Sequence, residues 1–153
     1  VQTLSQLVTV KYVMEKIVVL EDPSTNMLRR LLPDDTRVIL IAHGIVKAGV
    51  DLSRIGPGDL QVSGKKVVLT LPPAQITDAY LDDKQTQVVE RTTGFLRSFN
   101  KDLEQTARQN AVDDIRRAAR SGGILKDADD RAREQLNNLY KQLEFEEVEI
   151  RSP

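Results

Sequence analysis

His43 is the only histidine in the chain, and there are no cysteines. A metal centre or an acid–base pair must therefore work with one imidazole, and thiolate metal sites, disulfides and Cys nucleophiles are excluded together. A single histidine can act as a general base when a carboxylate orients it. Asp51 and Asp22 are the carboxylates that lie near His43 in sequence. No Gly-x-Ser-x-Gly elbow surrounds any serine, so a nucleophile to go with this base is not marked. The other reading of His43 is a strand residue at the rim of a sheet, hydrogen-bonded or half-solvated.

The stretch His43-Gly44-Ile45-Val46-Lys47-Ala48-Gly49 holds two glycines and a lysine, as phosphate loops do. It lacks the Gly-Lys-Ser/Thr ending, and it leads into a strand rather than a helix. Without a helix N-terminus there is no fan of free N–H groups to hold a phosphate. Glycines in a bent strand fit the pattern better. The acidic pairs Asp34-Asp35, Asp82-Asp83, Asp113-Asp114 and Asp129-Asp130 suggest divalent cations at first sight. Adjacent residues point to opposite faces of a strand or diverge by about 100° on a helix, so no pair chelates alone. Asp51, Ser53 and Asp59 form the best oxygen cluster, but their spacing is not that of an EF-hand loop. Arg116, Arg117 and Arg120, with Lys126 beyond, make the densest basic spot. Asp113 stands four residues before Arg117, a spacing for an ordinary surface ion pair. No catalytic, cofactor-binding or metal-binding residue is therefore assigned, and no cofactor is expected.

Composition narrows the classes further. The net charge is −1, from 22 basic and 23 acidic residues, and aromatics make up 4%. Nucleic-acid binding calls for a basic excess and stacking aromatics; the first is missing and the second are few, with no Trp. The most apolar opening stretch, Leu7 to Leu20, is interrupted by Lys11, Glu15 and Lys16, whereas a membrane helix needs about 20 mostly apolar residues. The chain opens on Val1 rather than Met, as a processed form or a fragment does.

The elements that must position these residues read as an α+β fold, a mostly antiparallel sheet followed by two long helices and a short final strand. Residues 1–153 are expected to form one domain: 7–83 mainly β, 94–143 two helices, 145–150 the last strand. Alternation from Val8 to Glu15 predicts a half-buried strand, blurring at Glu15-Lys16 into Ile17-Val18-Val19-Leu20, where a bulge, bend or second strand is expected. Met27 to Leu32 is open between a strand and a helical turn. Val38 to Val46 is the strongest strand, apolar on both faces as a central strand is. Val38, Leu40, Ala42, Gly44, Val46, Ala48 and Val50 share one face, small in its middle where a helix can approach. Ile39, Ile41, His43, Ile45 and Lys47 share the other.

Ser63-Gly64-Lys65 marks a hairpin between Leu60-Gln61-Val62 and Lys66 to Leu71. Ile76 to Leu81 adds a strand, and Gln87-Val88-Val89 is too short to assign. After Thr93 the period becomes helical. Leu96, Phe99, Leu103, Ala107, Ala111, Ile115 and Ala118 form one stripe, with Thr92 or Thr93 as cap. Ser121-Gly122-Gly123 breaks that helix, and Ala128, Ala132, Leu136, Leu139 and Leu143 line the next. So short a break favours an antiparallel helical hairpin packed on the sheet.

The order of these elements carries a resemblance. Ala42 to Leu52 (AHGIVKAGVDL), Val62 to Ile76 (VSGKKVVLTLPPAQI), Gly122 to Leu125 (GGIL) and Phe145 to Ile150 (FEEVEI) resemble the bacterial family of unknown function DUF4230. The resemblance extends from about Leu7 to Ile150. It implies no activity and carries over no catalytic residue. It does imply a hydrophobic segment ahead of Val1 that anchors the parent protein in the cytoplasmic membrane, with this domain on the extracytoplasmic side. The function expected on these grounds is a non-catalytic interaction or assembly domain that meets a protein partner or itself, not nucleic acid. Two alternatives stand beside it: a small hydrolase using His43 with a carboxylate such as Asp51, and a carrier of an apolar ligand with its pocket between sheet and helices.

Overall fold

The computed structural model describes residues 6–21, 37–92 and 101–153. They contain the strands β1 (Gln6–Glu21), β2 (Arg37–Asp51), β3 (Leu60–Ser63), β4 (Lys66–Thr70), β5 (Gln75–Leu81) and β6 (Gln87–Thr92), then the helices α1 (Lys101–Ser121) and α2 (Ile124–Gln142), and β7 (Glu147–Arg151). The expectations for Met27 to Leu32, Asp34-Asp35, Leu96 and Phe99 fall outside the described residues.

β2 is the centre of a four-stranded, antiparallel sheet in the order β1-β2-β5, with β6 pairing with β2 over Arg37–Ile41. The side chains at its even positions from Val38 to Val50 are fully buried, and those at its odd positions from Ile39 to Lys47 are half-buried. That is the division expected of a strand covered on one face by helices. The other sheet has the order β3-β4-β7. Its β3–β4 hairpin turns at Gly64, whose φ of +58° needs a residue without Cβ. β7 lies at its edge and pairs in parallel with β4, from Lys66↔Glu147 to Thr70↔Arg151. The last strand is thus an edge strand as its glutamates suggest, and Lys66 meets Glu147 at 3.3 Å.

The described residues gather into two compact units. In the one that holds most of α1 (13–21, 37–45, 79–92 and 101–118), Val18, Val38, Leu40 and Ala42 pack with Ala107 and Ala111. Leu20, Leu81, Val88 and Leu103 close the sides of this cluster. Ile115 lies on Gly44, so the small middle of β2 is where the helix comes closest. In the unit that holds α2 (6–12, 46–78 and 119–153), Val50, Leu69 and Leu71 pack with Ala132 and Leu136. There β1 crosses close over Gly49, where a Cβ would overlap the Leu7 carbonyl oxygen.

Each helix buries a row at steps of four: Ala107, Ala111, Ile115 and Ala119 on α1, and Ile124, Ala128, Ala132 and Leu136 on α2. Several expectations change as a result. Ala118 is exposed and Ala119 takes its place. Leu139 and Leu143 are exposed, because Tyr140 continues the row and stacks edge-on against Phe145 at 5.8 Å. The step of four selects the ridge of side chains that runs oblique to the helix axis, which a stripe drawn at 3.6 misses by one position.

Thr92 is not a helix cap. It ends β6, whose pairing with β2 reaches Arg37↔Thr92. Gly123 takes the left-handed conformation, φ +89°, at the break before α2.

β1 is one continuous strand, so the alternative of a second strand beginning at Ile17 is corrected. Glu15 and Lys16 point to opposite faces, Glu15 toward His43 and Lys16 toward Asp114 at 3.7 Å. Leu7 lies against the α2-unit core, Thr9 Oγ1 donates to the Ala128 carbonyl at 2.8 Å, and Tyr12 donates to Asp127. Residues 9 and 12 both reach α2, Thr9 through its hydroxyl and Tyr12 through its longer side chain.

Candidate functional site

His43 sits mid-way along β2 on the face away from α1, with both main-chain groups engaged. Its N–H donates to Thr86 Oγ1 at 3.2 Å, and its carbonyl accepts from Asp82 N at 2.8 Å. The turn Asp82–Thr86 makes those contacts and is itself fixed by Asp82, whose carboxylate accepts from Lys84 N and Gln85 Nε2. Among the described residues the imidazole meets one group, the Glu15 carboxylate, 3.5 Å from Nε2. The Glu15 side chain is 60% exposed, so solvent screens the pair heavily.

The expected partner Asp51 is not this carboxylate. It lies eight residues on in the same strand, about 26 Å at strand spacing, and accepts from Ser53 N at 3.0 Å and Ser53 Oγ at 2.6 Å. It therefore caps the one-turn 3₁₀ helix Leu52–Arg54. Asp22 falls outside the described residues. The sequence does not mark Glu15 as this carboxylate, because the pairing of β1 with β2 that brings it to His43 is a long-range contact.

Among the described residues, Asp59 and the acidic pairs at 82-83, 113-114 and 129-130 have structural partners. Asp59 accepts from Gly56 N at 2.8 Å. Asp83 meets Arg108 at 3.0 Å, Asp129 meets Arg133 at 2.8 Å and Asp130 meets Lys126 at 2.6 Å. Arg117 pairs with Asp114, three residues before it, rather than with Asp113, which accepts from Gln109. Among the described residues, no three His, Asp or Glu side chains gather in a metal-holding group.

Two open grooves run beside β1. One, about 570 Å³, is lined by Thr9, Val10, Lys11, Tyr12, Asp127, Asp130, Arg131 and Glu134. The other, about 510 Å³, lies between Ile17–Leu20 and Asn110, Asp113, Asp114 and Arg117. Charged walls of this kind suit a solvated surface better than an apolar ligand. Tyr12 is held above the usual tyrosine range, first by its hydrogen bond to Asp127, then by desolvation and the charge of that carboxylate.

The surface around His43 departs most from what a water-facing sheet requires. An antiparallel sheet with one solvated face carries polar residues there. Here β1 presents Val13, Ile17 and Val19, exposed by 64%, 61% and 47%. β2 presents Ile39, Ile41 and Ile45, each half-buried. Tyr80 of β5 and Val89 of β6 add to the outward-facing apolar surface of this unit, at 37% and 57% exposure. Glu15 and His43 are the acid and base set within this surface.

One of the sequence comparisons gives a match. The family model described as a protein of unknown function, DUF4230, matches residues 1–150. No curated protein and no solved structure matches the chain.

Proposed function

The chain belongs to the DUF4230 family of proteins of unknown function, and from that premise we propose that it is a non-catalytic domain that works by contact with a protein surface. The observation that carries this reading is the apolar outer face of β1 and β2, where Val13 and Ile17 stand more than half exposed. An apolar patch of this kind on a soluble fold marks an interaction site. In the same proposal the domain is tethered at the cytoplasmic membrane on its extracytoplasmic side, by a segment ahead of Val1. The support for the tether is the family resemblance. Among the described residues no helix is long and apolar enough to cross a membrane.

The test is a comparison of substitutions in the cell. Asp51→Asn should leave the phenotype of the gene unchanged, and Val13→Lys with Ile17→Lys should alter it at equal protein level. A folded His43→Ala protein that has lost its function while Val13→Lys with Ile17→Lys keeps it would end this reading. It would favour the hydrolase reading instead, with Glu15 in place of Asp51 as the orienting carboxylate, a role that the 3.5 Å approach to Nε2 permits.

A further inference from the structure

Among the described residues β1 is an edge strand, paired with β2 on one side and with no strand on the other. The groove beside its second half runs along that free edge. It is lined by four consecutive residues of β1, Ile17 to Leu20, and on its far wall by α1 between Asn110 and Arg117. Consecutive side chains of a strand point to opposite faces. A groove that touches all four therefore reaches the edge between the faces, where the main chain lies. The N–H and C=O groups of such an edge are what a further strand requires. We infer that this groove takes an extended segment of another protein, which adds to β1 as a strand of alternating apolar and basic residues. The inference rests on the reading of the domain as an interaction module and names the chemistry of its partner.

Charge confines the site to this stretch. Lys11, Glu15 and Lys16 come before it and Glu21 follows it, and charged side chains discourage strand addition. Ile17 to Leu20 carry no charge. The edge of β7 is closed in a different way, because its Ile150 carbonyl accepts from Arg133 at 2.7 Å.

The two faces fix the alternation. One set of side chains in an added strand stands beside Ile17 and Val19, exposed by 61% and 47%. Apolar, β-branched neighbours are favoured there, and they cover surface that otherwise meets water. The other set points toward α1. On that wall Asp114 is held by Lys16 at 3.7 Å and by Arg117. Asp113 accepts from Gln109 and meets no cation among the described residues. A lysine or arginine of the added strand supplies one. Main-chain pairing then gives the affinity, and the alternate side chains give the specificity. Four residues of strand span only about 13 Å, so the complex is weak and reversible.

NMR titration of the isotope-labelled 153-residue chain with a capped peptide of alternating valine and lysine, up to about 1 mM, tests the proposal. Amide signals of residues 17–20 and 110–117 should move. The same peptide N-methylated at every residue offers no N–H to the edge and should bind at least about tenfold more weakly. Glutamate in place of its lysines should weaken binding by about fivefold, one exposed ion pair lost and a repulsion gained. Asp113→Lys should reverse that preference, and Asp113→Asn should reduce it. Asp113 is exposed, so both variants should fold, which circular dichroism and the unfolding midpoint check.

No shift at residues 17–20, or an N-methylated peptide that binds equally well, overturns the proposal. So does a lysine preference that Asp113→Lys leaves unchanged. Protection of residues 17–20 that grows with the concentration of the chain alone would assign the edge to a second copy, and overturns it as well. If the peptide fails to bind but Val13→Lys with Ile17→Lys still changes the cellular phenotype, strand addition fails and the interaction reading survives. If the peptide binds as expected and the phenotype ignores those substitutions, strand addition survives and the functional reading fails.

Discussion

Ile115 of α1 fills the space that a side chain at Gly44 of β2 would need: a Cβ there would overlap Ile115 Cδ1 and lie 3.0 Å from Cγ2. Both residues are buried, so helix and strand meet at this point with nothing between them. Gly44→Ala should therefore destabilise the protein by about 1–3 kcal/mol, the usual cost of overpacking. The obstacle is a flexible side chain, so pairing Gly44→Ala with Ile115→Val should recover part of the loss. Urea unfolding of the two single variants and the double variant measures that coupling.

Gly49 presents a different obstacle. A Cβ there would overlap the Leu7 carbonyl oxygen and come within 2.7 Å of Val8 Cα. Main chain cannot move aside by changing rotamer. Gly49→Ala should cost more than Gly44→Ala, and no side-chain truncation on β1 should rescue it. Equal losses at the two glycines would mean that β1 shifts freely over β2.

These two glycines show what was legible and what was not. Two glycines near a lysine look like a phosphate loop, and the strand pattern around them is enough to reject that chemistry. The small middle of β2 also foretells a close helix. The particular partners, Ile115 and the Leu7 main chain, are long-range contacts that no local period encodes. β6 escaped for a related reason: Gln87-Val88-Val89 is too short a run to assign by itself, and its strand identity comes from pairing with β2. The outer face of β1 is the most consequential case. Ile17, Val18 and Val19 are all apolar, yet only Val18 is buried. Hydropathy marks all three as core, and only the folded sheet separates the covered face from the open one.

Arg133 shows how much one residue can tie together in the α2 unit. Its Nε donates to Asp129 at 2.8 Å, one terminal nitrogen to the Ile150 carbonyl at 2.7 Å, and the other to Ser152 Oγ at 2.9 Å. One planar group thus joins α2 to the end of β7. Arg133→Ala should cost about 1–2 kcal/mol, in the range of charge-assisted hydrogen bonds that are partly solvated. Arg133→Lys should not restore it, because an ammonium cannot present the same fork. Hydrogen exchange should show the loss at β7 amides first. If Lys substitutes fully, charge rather than geometry holds this end of the strand.

Tyr12 supplies a pH dependence with a definite sign. Its hydroxyl donates to the Asp127 carboxylate, and that bond is the largest cause of its raised pKa. The folded protein favours the neutral phenol more than the unfolded chain does. Its contribution to stability is therefore complete below about pH 10, the ordinary tyrosine value, and fades as pH rises through the higher folded value. Of the three tyrosines, Tyr12 should ionise later than a free tyrosine, and Tyr12→Phe should delete that component from the tyrosinate absorbance titration. Asp127→Asn should bring Tyr12 back toward its ordinary range. It should also reduce the alkaline loss of stability, since the variant no longer favours the protonated phenol. A titration unchanged by Asp127→Asn would show that the carboxylate does not hold this hydroxyl in solution.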